Sequence, residues 1–324
     1  MSHDTTPEWA WRDGQFVLWD ECRIHARSQA VLIGVSVFEG IRAYAGPGDD
    51  ELYLFRFGDH MKRLAQSLRI ARIPAMVPPN LEDVCAELVM RNRWHEDVHI
   101  SPFACLGVSP DFGFLSENPN VTFVVTAVAR PRARAIDSGS HLKVSSYTRI
   151  SEATTPPRVK AAANYHNSRL AALEARVDGY DNAVLLNHRG TVAEATDACL
   201  AIVRDGRLIT PPVIAGLLES VTRSTVIQLA AETLGAQVEE REVDRSELYV
   251  ADEAFLCGTG AEITPVVSFD RIAVGTGRPG PITLQLQEAY YQVVRGIVED
   301  HADWRTPVYE RTGGRLAPAA AAVC

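Results

Sequence analysis

The chain has three lysines, Lys62, Lys143 and Lys160, among 32 basic residues, so chemistry that needs a neutral amine has few places to reside. Lys160 stands in the stretch Arg158 to Asp178, just ahead of three alanines and an Asn164-Tyr165 pair. A pocket that desolvated it there would leave the amine neutral and nucleophilic. The competing reading is a solvated lysine that opens a helix. Four other features suit an anion or a proton. Val221 and Thr222 fall at a helix start, where free amides and the positive end of the dipole favour phosphate. The Gly258-Thr259-Gly260 turn lets amides approach an anion and adds a hydroxyl. Arg63 offers a charge-assisted donor set. Glu194, in Val-Ala-Glu-Ala-Thr, follows a strand and turn and could enter the same cleft. Each also has a structural alternative: Arg63 as partner of Asp59, Glu194 as a solvated loop acid, Thr222 as an ordinary first-turn residue, and the glycines as chain reversal.

These groups need a scaffold. At 324 residues the chain is long enough for two domains or one large one, and 46% hydrophobic content is that of a globular protein. No apolar run approaches the roughly 18 residues that span a bilayer. The start, Met1 to Glu8, carries neither a basic region nor an apolar stretch of the export type. Six scattered cysteines without a Cys-x-x-Cys suggest reduced thiols in a cytoplasmic protein, with no metal site. The net charge of −9 argues against a nucleic-acid surface, so a small anionic substrate must be held by a few placed arginines.

Periodicity predicts strand-like pieces at Gln15 to Trp19, Ala30 to Phe38 and Glu51 to Phe55, and a sheet in the first half that is antiparallel. Met61, Leu64, Ala65, Leu68 and Ala71 mark a helix with Asp59 as cap, and Arg63 lies off its stripe. A second helix is expected from Leu81 to Trp94 behind Asn80, then a strand at Val121 to Val128. Residues 131–138 read as a linker between a domain of residues 1–130 and one of 139–324. The second half predicts a helix over 162–178, a strand from Asn182 to Asn187, and a hairpin of Cys199–Arg204 with Arg207–Thr210 across Asp205-Gly206. A helix from Val221 to Leu234 follows, capped by Ser220 and stopped by Gly235. Strands at Gln237 to Val243 and Ala254 to Leu256 and a helix from Ile282 to Glu299 complete the pattern, and the low-complexity tail Leu316 to Val323 is expected to fray.

Ser36-Val-Phe-Glu-Gly-Ile-Arg42, His60-Met-Lys-Arg-Leu64, Lys160 with Asn164-Tyr165, Gly190 to Glu194, Thr222-Arg223 and Leu248 to Pro265 occur in one order along the chain. In these stretches, and from Trp9 to about Thr283, the sequence resembles the fold type IV pyridoxal-phosphate enzymes, and the branched-chain amino acid aminotransferases most closely. The resemblance implies a two-domain α+β or α/β architecture with pyridoxal 5'-phosphate at the domain interface. It also implies a homodimer and a transferase of amino-acid biosynthesis acting on amino acids and 2-oxo acids. Lys160 would be the catalytic residue, joined to the cofactor. Glu194 would bond the pyridine nitrogen, Tyr165 the ring hydroxyl, and Leu218 would support one ring face. Arg63, Val221, Thr222 and Thr259 would hold the phosphate. Phe38, Gly40, Arg42, His99, Gly260 and Ala261 would line the substrate's place.

Departures from the family pattern gather where the substrate should sit: Ile33 in place of an aromatic residue, His99 in place of a tyrosine, and Ser101 in place of an arginine that clamps the acidic co-substrate. Ala-Thr-Asp follows Glu194 where glycines are usual, and Glu219-Ser220 replaces a Pro-Gly or similar pair. Arg42 either takes over carboxylate binding or is a strand-end arginine in solvent. The leading expectation is transfer of an amino group from a branched-chain or other hydrophobic L-amino acid to a 2-oxo acid, typically 2-oxoglutarate. A D-amino acid aminotransferase or an aminodeoxychorismate lyase of the same fold, and a cofactor-holding protein without turnover, are the alternatives.

Overall fold

A computed structural model describes residues 6–48, 51–110, 115, 119–235 and 238–310. The predicted frayed tail at 316–323 and the expected strand start at Gln237 lie outside them.

The first half, joined at one edge by Arg305–Pro307 from the C-terminal end, builds an antiparallel sheet in the order Arg305–Pro307, Leu52–Phe55, Ile41–Ala45, Val98–Leu106, Val121–Ala129, Trp9–Arg12, Gln15–Leu18, with Ser36–Phe38 also pairing on Val98–Leu106. Its apolar face is covered by the helices Phe57–Ile70 and Leu81–Arg91, whose Leu64 and Leu88 are 0% exposed. Each such leucine contributes about 1.5–3 kcal/mol by leaving water. The second sheet runs Val192–Ala195, Asn182–Leu186, Ser140–Thr148, Glu262–Phe269, Glu253–Gly258, Cys199–Arg204, Arg207–Thr210, Glu239–Glu240. It is mixed: Ser140–Thr148 lies parallel to both its neighbours, while the hairpin of Cys199–Arg204 with Arg207–Thr210 is antiparallel. The helices Val221–Leu234 and Pro281–Val294 pack against it through Leu229, Ala230, Leu286 and Val293.

Several local readings are corrected. Ala30 to Ile33 is not strand but part of the helix Gln29–Ile33. The β-branched Val31 and Ile33 suggest a strand, yet Ser28 Oγ caps the helix by accepting from Val31 N at 3.2 Å, and Gly34 ends it at φ 73°. Asp59 does not cap its helix: it stands in the first turn, paired with Arg56 at 2.7 Å. The helix from Leu81 stops at Arg91, because Asn92 Nδ2 donates to Leu88 O and Arg93 turns left-handed at φ 58°. The strand expected to reach Val243 is confined to Glu239–Glu240; the Val243 carbonyl accepts from Val192 N instead. The last helix ends at Val294, with Gly296 at φ 67° just beyond.

The two sheets are joined at one point that matters for chemistry. Phe38 N donates to Lys160 O at 3.0 Å, and Val37 bridges Ala161 across the halves. Tyr44 and Tyr290 add a hydroxyl contact of 3.1 Å between the two. The lysine therefore enters the cleft from a backbone held by both halves. No helix among the described residues is long and apolar enough to cross a membrane.

Candidate active site

Lys160 is positioned by what precedes and follows it. Asn164 is buried in the first turn of Ala162–Val177, and its Nδ2 donates to Pro156 O at 3.1 Å and Val159 O at 2.9 Å. Thr155 Oγ1 donates to Asn164 Oδ1 at 2.8 Å, so the proline loop is tied to the helix and cannot carry the lysine away. Nζ of Lys160 donates to the Tyr165 hydroxyl at 2.5 Å and lies 4.8 Å above the Phe38 ring. The Phe38 and Tyr165 rings are themselves 5.0 Å apart at 60°, which fixes both planes.

Around that amine lies a cavity of about 200 Å³. Of the residues expected from the sequence, it brings together Phe38, Gly40, Arg63, His99, Lys160, Tyr165, Glu194, Leu218, Thr259 and Gly260. It does not bring in Val221, Thr222, Ala261 or Arg42. Val221 and Thr222 follow Ser220, which does line it, at the start of the helix Val221–Leu234. There the first amides have no acceptor within the helix, and the Ser220 hydroxyl takes the one from Arg223 at 3.2 Å.

Glu194 occupies the far wall, on a strand whose register slips between Val192 and Glu194. One of its oxygens meets Arg149 at 2.5 Å; the other accepts from Leu218 N at 3.1 Å. Burial raises its carboxyl above the ordinary range, opposed by Arg149 and by the Leu218 amide. Arg149 in turn donates to Ser168 Oγ at 3.2 Å and Gly216 O at 3.3 Å. The sequence reading passed over Arg149, and its signal was faint, since nothing in Tyr147-Thr-Arg149 foretells a partner 45 positions away.

Arg63 is not the free side chain its position off the apolar stripe suggested, nor the partner of Asp59. It is buried, with Nε and Nη2 on the two oxygens of Glu39 at 2.7 and 2.6 Å and Nη1 on Glu219 O at 2.7 Å. Three of its five donors are used, so two remain for the cavity. Burial would raise Glu39, but Arg63 and then His60, 2.8 Å away through Nδ1, bring it down to about 2. The ring of His60 is itself held below its usual value by burial, despite the bond to Glu39.

Arg42 is in neither place expected of it. It is 1% exposed, with Nη2 3.3 Å from Asp97 and 2.6 Å from Arg130 O, and Nη1 3.3 Å from Glu262. It faces a buried acidic pair rather than solvent or the cavity. His99 pairs across the strands with Arg42 and contacts Ser101 Oγ at 3.3 Å. Burial first, then Arg130, Arg42, Lys160 and His60, press its ring down to about 4, so it is neutral at pH 7. A Cβ on Gly40 would come 2.8 Å from His99 Nε2, so any larger residue there would push the imidazole from its present place. Arg130, which ends the first unit just ahead of the expected linker, lines the same cavity. Among the described residues no group of three or more His, Cys, Asp and Glu is placed to hold a metal.

The arrangement offers an amine with a fixed hydroxyl partner, a buried carboxylate with an accepting face, two spare guanidinium donors beside a helix start, and a glycine turn. That donor set fits a flat, phosphorylated aldehyde of pyridoxal type. The amine matches the carbonyl, Glu194 a ring nitrogen, and Arg63 with the first amides of Val221–Leu234 a phosphate.

The model of the family described as amino-transferase class IV matches residues 36–269. A probable branched-chain-amino-acid aminotransferase of Aquifex aeolicus is 37% identical over 308 residues, covering 94% of this chain and 98% of the relative. The crystal structure of the branched-chain amino acid aminotransferase of Thermobaculum terrenum in its PLP-form superposes with a TM-score of 0.87 at 43% identity, over 94% of this chain and 99% of that one. That of the Escherichia coli enzyme of the same name gives 0.89 at 35%, over 94% and 100%.

Proposed function

Because the chain belongs to the class IV aminotransferases, we propose that it moves the amino group of a branched-chain or other hydrophobic L-amino acid to a 2-oxo acid such as 2-oxoglutarate, using pyridoxal 5'-phosphate. The observation that carries this is Lys160 Nζ inside the cavity, 2.5 Å from the Tyr165 hydroxyl and walled by Glu194. The names of the relatives support the L-amino acid reading over the D-amino acid and lyase alternatives.

When bound, pyridoxal phosphate supplies an aldehyde carbon for the substrate amine and a ring that withdraws electrons from the carbon losing its proton. Lys160 Nζ, the one lysine amine lining the cavity, would be the base that takes the α-proton of the substrate and delivers it to the former aldehyde carbon. Tyr165 orients Nζ through its hydroxyl. Glu194 would accept from the ring nitrogen, and Arg149 with the Leu218 amide opposes the rise that burial gives its carboxyl and keeps it aimed. Leu218 would support a ring face. Arg63, Thr259 and the start of Val221–Leu234, with Thr222, would hold the phosphate. Phe38, Gly40, His99 and Gly260 shape the side-chain space, and Ala261 extends it beyond the lining.

We place the enzyme in the cytoplasm, consistent with five free cysteines among the described residues. We read it as a homodimer, because Val31, Leu32 and Ile33, on one short helix, are 58, 56 and 39% exposed and call for a cover. We also take residues 131–138 as the joint between a smaller unit (1–130) and a larger one (139–324). Sedimentation equilibrium at twice the chain mass supports the dimer; a monomer at working concentration ends it. The decisive experiment is a set of initial rates over the common amino acids with a few 2-oxo acids. Turnover with leucine, isoleucine or valine is expected. Release of pyruvate from aminodeoxychorismate alone, or turnover that survives Lys160→Ala, overturns the proposal.

A further inference from the structure

Three arginines line the cavity: Arg63, Arg130 and Arg149. Two are already answered by buried carboxylates, Arg63 by Glu39 at 2.6 Å and Arg149 by Glu194 at 2.5 Å. Arg132, two residues further on, is held outside by Asp137 at 2.8 Å and Glu262 at 3.3 Å. Arg130 alone of the three lining arginines has a guanidinium without a hydrogen bond or ion pair to any described residue, and its side chain is exposed at the mouth of the cavity.

Its main chain, by contrast, is clamped. Arg130 N donates to Asp97 O at 2.8 Å, and its carbonyl accepts from Arg42 Nη2 at 2.6 Å. Arg295 holds Asp97 from the other side at 2.7 Å. A rigid root thus carries a loose cation. The guanidinium lies over the glycine turn: a Cβ on Gly260 would be 3.7 Å from Nη2 and 4.0 Å from Cζ. It is also near enough to His99 to help keep that ring unprotonated.

Every amino acid and 2-oxo acid carries a carboxylate that stays charged at pH 7, and a protein of net charge −9 has no overall field to hold one. Lys160 is committed to the reacting carbon. His99 is neutral, Ser101 carries no charge, and Arg63 and Arg149 are compensated. Resting on the aminotransferase reading, we propose that Arg130 is the residue that binds a carboxylate of the substrate, closing over the Thr259-Gly260 turn, and that Arg42 acts as a positioning residue by fixing the Arg130 main chain.

Two carboxylates could meet it: the α-carboxylate common to all substrates, or the distal one of glutamate and 2-oxoglutarate. The test compares the holoenzyme with its Arg130→Gln and Arg130→Lys variants. It uses KM for 4-methyl-2-oxopentanoate and 2-oxoglutarate, and calorimetric binding of the unreactive 4-methylpentanoate and glutarate. Loss of one charge-assisted contact is expected to weaken binding by about 10- to 100-fold in Arg130→Gln, with partial recovery in Arg130→Lys. Weakening of both monocarboxylate and dicarboxylate identifies the α-carboxylate; weakening of the dicarboxylates alone identifies the distal one. The proposal is overturned if Arg130→Gln binds both analogues and both oxo acids as the parent does, or if the parent binds neither analogue. Absence of turnover in the parent itself would instead sink the aminotransferase reading, while the calorimetry still reports on Arg130. Since the side chain has no internal partner, the variant is expected to keep the parent's melting temperature.

Discussion

At the Lys160 and Glu194 end of the cavity each lining arginine is met by a buried carboxylate, whereas at the His99 and Gly260 mouth Arg130 has none. The inner charges are spent on orientation. Arg63, with a carboxylate on two of its nitrogens, and Arg149, tied to Glu194, Ser168 and Gly216, cannot swing, and the carboxylates they face keep one aim. The mouth leaves its charge uncompensated and its main chain fixed, which suits a ligand that comes and goes. The cavity so divides into a part built to hold a cofactor permanently and a part built to exchange substrates.

The contrast can be broken at several points. Lys160→Ala removes the base itself and is expected to lower turnover by more than about 10⁴-fold while leaving substrate binding at the mouth within a few-fold, read from initial rates and calorimetry. Glu194→Ala strands Arg149 in the interior and is expected to cost about 3–5 kcal/mol in urea unfolding. Should stability stay within 1 kcal/mol, the inner pair is not the constraint described here.

The two ends also separate by pH. Glu39 has its carboxyl lowered from 4.5 to about 2, so the unfolded chain binds a proton there that the fold does not. That stability, about 3 kcal/mol, is complete above pH 4.5 and lost as pH falls toward 2. His99 has its ring lowered from 6.5 to about 4, and the same sign applies in a higher window: stability falls as pH drops from 6.5 to 4, by at most about 3 kcal/mol. Urea titrations from pH 7 to 2 are expected to lose the lower window in Glu39→Gln and the upper one in His99→Gln. A single window erased by both variants would unify what is here kept apart. The smallest effect belongs to Arg130→Gln, expected to change the melting free energy by no more than about 0.5 kcal/mol, against the loss of carboxylate binding.

Where the signal was short-range, it could be read along the chain. The hairpin of Cys199–Arg204 and Arg207–Thr210 and the helix Val221–Leu234 fall where turn chemistry and the Ser220 and Gly235 ends put them, because each is closed by contacts within a few residues. Misreadings occurred where a local rule met a stronger neighbour: Val31 and Ile33 favour a strand, but Ser28 and Gly34 bracket them into a helix. Arg63 lay off an apolar stripe and looked free, yet Glu39, just past the strand Ser36–Phe38, was waiting for it. Arg149 and Arg130 drew no attention as single letters; their meaning resides in partners, present in one case and missing in the other.

Residue types and order along the chain were enough to nominate the amine, the acid and the anion-binding turns, because a nucleophile, a proton acceptor and a helix start are each written in a few adjacent letters. Which arginine is spent and which is available is written nowhere in that order. Compensation of a charge depends on what lies within about 4 Å in space: Glu39 and Asp97 reach Arg63 and Arg42, and Glu194 reaches Arg149, only once their own half has folded, and Glu262 reaches Arg42 only when the two halves meet.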